Sequence, residues 1–456
     1  MGRLFGTDGV RGIANSELTP ELAFHLGKAG AYVLSKENER PVVVIGKDTR
    51  ISGDMLESAL TAGILAVGGN VIKVGVVPTP AVAYLVRHYK ADAGIVISAS
   101  HNPYEYNGIK FFNSEGFKLD DLLEEKIEDI ILRDIDPNKH LTGEALGRCI
   151  MAEDDAVDLY VNFLLTTIDQ RLDGMKIVLD CANGAAYKTA PAVYRALGAE
   201  VITIGCEPDG ININANIGST HPELLQQTVV ENKADIGLAY DGDADRLIVV
   251  DEKGMIIDGD KTICICAKML KDAGELAENK VTATVMSNIG FHKCIEGMGC
   301  SVEQVGAVVD VTGVGDRYVL ESMLETGCVL GGEQSGHIIF LNHTTTGDGT
   351  LSSLQFMKAV LASGKKPSEL SAEIEIFPQV LVNAKVDNDN KKIYMKDEEV
   401  KNAIDAIEAE MAGSGRVLIR PSGTEPLVRV MIEGSDIEKI DMLAKQLAEL
   451  IERKFA

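Results

Sequence analysis

The chain is expected to be an α/β protein: three similar α/β domains with mixed or parallel sheets, then a smaller C-terminal α+β domain. Three observations predict this. One order of features (β-branched run, polar loop, helical stretch, glycine, new apolar run) occurs three times along the chain. The final segment changes to a different alternation of strand and helix signals. The composition, 45% hydrophobic with 45 glycines among 456 residues, supplies aliphatic cores and many tight strand–helix turns.

In the first unit Val42–Ile45 predicts a strand, Met55–Ala66 a helix, Gly68-Gly69-Asn70 a turn and Val71–Val77 a second strand. The second runs from Ile177–Leu179 through Asn183-Gly184, a helix around Ala190–Leu197 and Gly198 to Val201–Ile204. The third runs from Val281–Met286 through Ser287-Asn288, a helix around Phe291–Gly297 and Gly299 to Val302–Val305. This spacing also allows one large doubly wound sheet. Polar stretches at Arg133–His140, Asp251–Gly254 and Ser363–Ser368 mark boundaries, giving domains 1–152, 153–254, 255–368 and 369–456. In the last, Val380–Val386 predicts a strand, and Val400, Ile404, Ile407 and Met411 recur at helical spacing. Val417–Ile419 and Val428–Ile432 flank a turn-rich loop. Ser435-x-x-Glu438 predicts a capping box that opens a final helix with Ile437, Ile440, Leu447 and Ile451 inward.

A net charge of −25 argues against sequence-independent nucleic-acid binding, and any anionic substrate would need a local basic pocket. The eight cysteines are scattered; Cys264-Ile-Cys266 reads as buried packing rather than a metal site. Free thiols and a start without the basic-then-apolar profile of a signal peptide predict a cytoplasmic protein. No apolar run is long enough to span a bilayer.

Four loops carry chemistry. Residues 94–112 bring Ser98, Ser100 and His101 from an apolar run onto the Asn102-Pro103 turn. Pro103 has no N–H and pushes Asn102 out of the helical region, so the serines should sit on an exposed bend at a strand's end. A hydroxyl there can act as a nucleophile or carry a phosphoryl group. Strand alternation puts both serines on one face and does not choose between them. Asp241-Gly-Asp-Ala-Asp-Arg246 sets three carboxylates on one tight loop, which repel unless a cation neutralises them; hard oxygens suit Mg²⁺. An EF-hand is the rival, with Glu252 at its twelfth position, but its sixth is Arg246 rather than glycine and its flanks read as strands. Gly331-Gly-Glu-Gln-Ser-Gly-His337 is a turn-rich loop in which Glu333 and Ser335 could hydrogen-bond sugar hydroxyls and His337 could shuttle a proton. Arg420-Pro-Ser-Gly-Thr-Glu-Pro-Leu-Val-Arg429 combines two guanidinium forks with hydroxyls and loop N–H groups, a donor set that suits a phosphate dianion. Gly46-Lys-Asp-Thr-Arg50 lacks the spacing and ending of a Walker loop, and Gly313-Val-Gly315 lacks the third glycine of a dinucleotide fingerprint.

These motifs, with Phe5-Gly-Thr-Asp-Gly-Val-Arg-Gly12 at the start, closely resemble the α-D-phosphohexomutases along the whole chain and in the same order. The resemblance implies four domains around a central cleft that closes to exclude water. It implies a phosphorylated Ser100, and Asp241, Asp243 and Asp245 as Mg²⁺ ligands with a phosphoserine oxygen of Ser100 completing the shell. It brings Arg11 beside the phosphoserine and makes Lys110 and His337 the proton-transfer candidates. It assigns Arg246, Glu333 and Ser335 to the sugar, and a phosphate clamp to Arg420, Ser422, Gly423, Thr424 and Arg429. Val314-Gly-Asp-Arg-Tyr-Val319 and His343-Thr-Thr-Thr-Gly-Asp-Gly349 are similar to a bacterial branch acting on amino-sugar phosphates. That branch implies interconversion of glucosamine 6-phosphate and glucosamine 1-phosphate for cell-wall precursor synthesis. Glucosamine 1,6-bisphosphate or glucose 1,6-bisphosphate would serve as primer, and a homodimer is the candidate assembly. Glu105-Tyr106 departs from the aromatic-then-Asp pair expected before Asn107-Gly108, at no implied catalytic position. The rival readings are another hexose phosphate of the same family, and a non-catalytic phosphosugar-binding protein.

Overall fold

Each of the three repeated units builds its own sheet around one four-strand pattern, which decides against a single large sheet. The computed structural model describes residues 4–6, 8–35, 40–135, 141–306, 315–387, 390, 393–411, 413–421 and 426–456. In the first sheet the parallel strands Asn70–Val76, Val42–Lys47 and Ala93–Ile97 lie in that order, and Tyr106–Asn113 returns antiparallel beside Ala93–Ile97. Val10–Ile13 and Cys149–Met151 extend its two edges. The second sheet repeats the order with Glu200–Ile204, Lys176–Asp180 and Ile236–Tyr240, then antiparallel Leu247–Asp251, and adds Ile256–Ile257. The third does so with Ser301–Val305, Lys280–Thr284 and Leu330–Gly332, then antiparallel Ile338–Phe340. Each parallel run therefore ends in a hairpin. The serine, aspartate and Glu333–His337 loops are the tips of the three hairpins, at equivalent topological places.

The chain divides into two compact units, one of residues 1–286 and 299–373, the other of 287–298 and 374–456. In the first unit, Val43, Ile45, Ile95, Ile97, Ile109 and Phe111 project from the first sheet onto the helices Pro20–Leu34 and Gly53–Ala66. Those helices touch backbone to backbone: a Cβ on Gly63 would lie 2.1 Å from the Phe24 carbonyl oxygen. Cys264 and Cys266 are buried in the helix Gly259–Asp272, as expected for packing residues.

The second unit is a three-stranded antiparallel sheet, Gln379–Lys385, Leu427–Gly434 and Gly415–Pro421, with the helices Glu398–Met411 and Ile437–Phe455. Two expectations about the last helix are corrected here. The last helix is capped by the Asp436 carboxylate, which accepts the Glu438 and Lys439 N–H groups at 3.1 Å, and not by a Ser435–Glu438 box. An anion at the cap also meets the positive end of the helix dipole. Ile437, on the first turn, is 51% exposed, so the buried stripe begins at Ile440. The helix Ile289–Gly297, expected within the third repeat, groups with the C-terminal unit. Asn288 caps it and is bonded in both directions to the Phe377 backbone, at 2.9 and 3.0 Å, while Glu433 accepts the Ile289 N–H at 3.2 Å. Among the described residues no helix is long and apolar enough to cross a membrane.

Candidate active site

Ser100 is 2% exposed, so the bend is buried rather than solvated as its sequence suggests. The strand ends at Ile97, and Ser100 adopts φ +52°, the left-handed region that few non-glycine residues occupy. That conformation breaks the strand alternation and separates the two serines. Ser98 Oγ donates to Asp48 Oδ2 at 2.5 Å and accepts the Ser100 N–H at 3.0 Å. Ser100 Oγ instead donates to Asp241 Oδ2 at 2.6 Å. The hydroxyl thus points into the aspartate loop from 141 residues away in sequence.

Asp241, Asp243 and Asp245 are all buried, and each offers an oxygen within 4.8 Å of the other two. Burial and the neighbouring Asp245 and Asp243 charges push the Asp241 carboxyl well above its usual range, and burial and Asp243 push Asp245 up. Asp243 is held below its usual range despite burial, because the Lys110 ammonium lies 2.9 Å away and Thr79 Oγ1 donates to it at 2.8 Å. One oxygen each of Asp243 and Asp245 is buried with no hydrogen-bond partner. Unpaired buried carboxylate oxygens converging with a hydroxyl fit a hard divalent cation. Gly242 allows the two loops to meet: a Cβ there would lie 2.5 Å from the Ser100 carbonyl oxygen.

Lys110 is buried between Asp243 and Asp8, 2.9 Å from each. Burial alone would lower its pKa, but the Asp243, Asp8 and Asp245 carboxylates hold it above the ordinary lysine value. Arg11 pairs with the same Asp8. Asp8 also meets Lys118 at 2.6 Å, and Lys118 pairs onward with Asp316. Asp316 Oδ2 lies 3.4 Å from His337 Nε2, and Asp245 Oδ2 lies 3.8 Å from it. His337 is buried, and neither ring nitrogen has a hydrogen-bond partner. Its backbone bridges to Arg246, whose N–H donates to Asp241 Oδ1 at 3.2 Å and whose Nε is buried without a partner. Glu333 is half-buried, and burial raises its carboxyl; Ser335 on the same loop is exposed.

The first unit therefore brings Ser100, Arg11, Lys110, Asp241, Asp243, Asp245, Arg246, Glu333 and His337 into one connected polar cluster. Asp8, Lys118 and Asp316 join it without having been singled out in the sequence. Asp8 and Asp316 lie inside motifs quoted above, but nothing about Lys118 marked it. Asp48 and Arg50 were set aside with the Walker comparison and prove to be buried behind the serine loop. In the second unit Arg420 and Arg429 stand directly opposite each other on neighbouring strands. Ser422, Gly423 and Thr424 lie outside the described residues.

A buried serine loop, a three-carboxylate loop and the Glu333–His337 loop, at equivalent places on three α/β sheets, define a phosphosugar mutase. The chain belongs to the phosphoglucomutase/phosphomannomutase family. Models of that family's α/β/α domains I, II and III match residues 2–137, 158–254 and 258–377, and its C-terminal domain matches 381–450. Within the family the chain is similar to phosphoglucosamine mutases. It is 59% identical over 454 residues to that of Thermoanaerobacter sp. and 58% identical over 454 residues to that of Clostridium acetobutylicum, covering 100% of all chains. The fold is shared with a phosphoglucomutase/phosphomannomutase family protein of Burkholderia thailandensis, at TM-score 0.79 and 24% identity over 100% of this chain and 98% of that one. It is also shared with the N-acetylphosphoglucosamine mutase of Aspergillus fumigatus, at TM-score 0.70 and 17% identity over 99% and 96%.

Proposed function

We propose that this chain interconverts glucosamine 6-phosphate and glucosamine 1-phosphate through a phosphoserine enzyme and a 1,6-bisphosphate, the activity of a phosphoglucosamine mutase. The observation that carries the reading is the Ser100 hydroxyl set 2.6 Å from an aspartate of a three-carboxylate cluster with unpaired buried oxygens. Full-length identity of 59% to a phosphoglucosamine mutase supports the amino-sugar substrate.

In the forward direction phospho-Ser100 gives its phosphoryl group to the sugar O1. The O1 proton leaves, the phosphorus–Oγ bond breaks, and the bisphosphate forms. After the intermediate turns over, O6 gives its phosphoryl group back to Ser100 and glucosamine 1-phosphate departs. Asp241, Asp243 and Asp245 would hold a Mg²⁺ ion, which when bound offsets charge on the transferring group. The Aspergillus enzyme has been solved with GlcNAc-6P and magnesium, which supports that choice. Lys110, held as an ammonium by Asp8 and Asp243, has no lone pair with which to accept a proton. His337, with unpartnered ring nitrogens beside Asp316, is the candidate base. Glu333, Ser335 and Arg246 orient the sugar; Arg11 serves the phosphoryl group; Arg420, Arg429, Ser422, Gly423 and Thr424 take the phosphate that is not reacting.

The functional division follows domains 1–152, 153–254, 255–368 and 369–456. The eight free cysteines favour the reducing cytoplasm. The exposed apolar edge strand Cys149–Met151 favours a homodimer, with sedimentation as its test. Activity is tested by coupled assay with glucosamine 6-phosphate, Mg²⁺ and glucose 1,6-bisphosphate or glucosamine 1,6-bisphosphate as primer. A higher kcat/KM for the amino sugar than for glucose or mannose phosphates is expected. Equal or greater efficiency with a neutral hexose phosphate would overturn the substrate assignment.

A further inference from the structure

We propose that Arg50 and Asn214 are positioning residues that grip the serine loop from two domains and hold Ser100 in its left-handed conformation. The inference rests on Ser100 being the phosphoryl carrier. The Ser100 carbonyl accepts Arg50 Nη2 at 3.0 Å and Asn214 Nδ2 at 2.9 Å. Two residues on, the Asn102 carbonyl accepts the same two groups, at 2.5 and 3.1 Å. The turn that carries the nucleophile is thus bracketed on both sides by one guanidinium and one amide.

The two donors come from different repeats. Arg50 follows the strand Val42–Lys47, and Asn214 follows Glu200–Ile204 in the sheet that carries the aspartate loop. Arg50 is itself fixed: Asp48 accepts its guanidinium and, at 2.9 Å, its N–H, and also takes the Ser98 hydroxyl. Asn214 has φ +57°, a conformation asparagine tolerates better than most residues, and its amide packs where a Cβ on Gly242 would intrude. The two repeats are bridged again beside it, where Thr49 Oγ1 donates to the Asn183 carbonyl at 2.5 Å and the Ile51 N–H to the Gly210 carbonyl at 2.9 Å.

This grip acts on the backbone, so it leaves the Ser100 side chain to carry and pass the phosphoryl group. It keeps Oγ aimed at the aspartate loop in both half-reactions, when the acceptor is O1 and when the donor is O6. A loosened loop would present phospho-Ser100 at a wrong angle and lengthen its exposure to water. The signature of lost positioning is therefore a lower transfer rate together with more hydrolysis per productive transfer.

The test uses the full-length enzyme with Asn214→Asp, which keeps the shape but replaces both donors by an acceptor, and Asn214→Gly, which removes the side chain while permitting the positive φ. Arg50→Lys keeps the charge and loses the fork. For each, kcat, KM for glucosamine 6-phosphate, the melting temperature and inorganic phosphate released per mutase turnover are measured beside wild type. The expected result for Asn214→Asp is a kcat lower by about tenfold or more, KM within about twofold, and a raised phosphate release per turnover. Asn214→Gly supplies the same readouts if the Asp variant folds poorly. Unchanged kcat and phosphate release in both Asn214 variants, with an active wild type, would overturn the grip. A wild type that turns over without phosphate on Ser100 would overturn the mechanism on which it rests.

Discussion

Replacing Lys110 with methionine keeps the side chain as far as Cε and removes its charge at the junction of the serine and aspartate loops. Lys110 Nζ lies 2.9 Å from Asp243 and 2.9 Å from Asp8. At an effective dielectric near 20, each contact is worth about 6 kcal/mol before desolvation. The loss falls unevenly. Asp8 retains Arg11 and Lys118, whereas Asp243 keeps only the Thr79 hydroxyl among its described hydrogen-bond donors. One buried carboxylate is left uncompensated, a change that typically costs about 3–5 kcal/mol. With chelator present at pH 7, urea unfolding of Lys110→Met should show that loss in the transition of the first unit. The sign with pH follows from the same contact. Asp243 is depressed in the native wild type, so its contribution is present above the unfolded carboxylate pKa and is lost only as pH falls through the lower native value. In the variant, burial without Lys110 raises Asp243, which gains a proton on folding and recovers stability as pH falls. The gap between the two proteins should narrow from pH 7 toward pH 4. A gap below about 1 kcal/mol at pH 7, or one that widens on acidification, would refute the reasoning.

Chelation should stop turnover and Mg²⁺ should restore it, while Asp243→Asn should cost large factors in kcat even in excess Mg²⁺; full activity in chelator would exclude the cation. Arg429→Ala should weaken binding of both the 1-phosphate and the 6-phosphate sugar by about tenfold to a hundredfold, read by calorimetry on a Ser100→Ala background. A loss confined to one isomer would mean that Arg420 and Arg429 do not serve both sugar poses.

Much of this architecture is legible because local and global signals agree. The β-branched runs at Val42–Ile45, Ile177–Leu179 and Val281–Met286 become central strands. The three loops dense in functional groups lie where a parallel strand turns into an antiparallel one. What stays hidden depends on long-range packing. Lys118 reaches Asp8 across 110 positions and Asp316 across 198, and no local pattern announces such pairs. Asp48 and Arg50 follow the apolar run Val42–Gly46, and that is a usable signal: buried charges at the end of such a run need each other or a site. Burial of Ser100 depends on the aspartate loop closing over it, which its own turn residues do not reveal. At Ser435–Glu438 two overlapping caps compete, and the neighbouring carboxylate of Asp436 wins.

The central claim is that Ser100 carries the phosphoryl group. It is tested most directly by mixing the dephosphorylated enzyme with one equivalent of glucose 1,6-bisphosphate and mapping the phosphopeptide by mass spectrometry, for wild type, Ser98→Ala and Ser100→Ala. Ser98 is committed to Asp48, so its variant should still be phosphorylated, at Ser100, while Ser100→Ala should take up no phosphate and show no mutase turnover. Phosphate found on Ser98 in the wild type, or turnover retained in Ser100→Ala, would contradict the account.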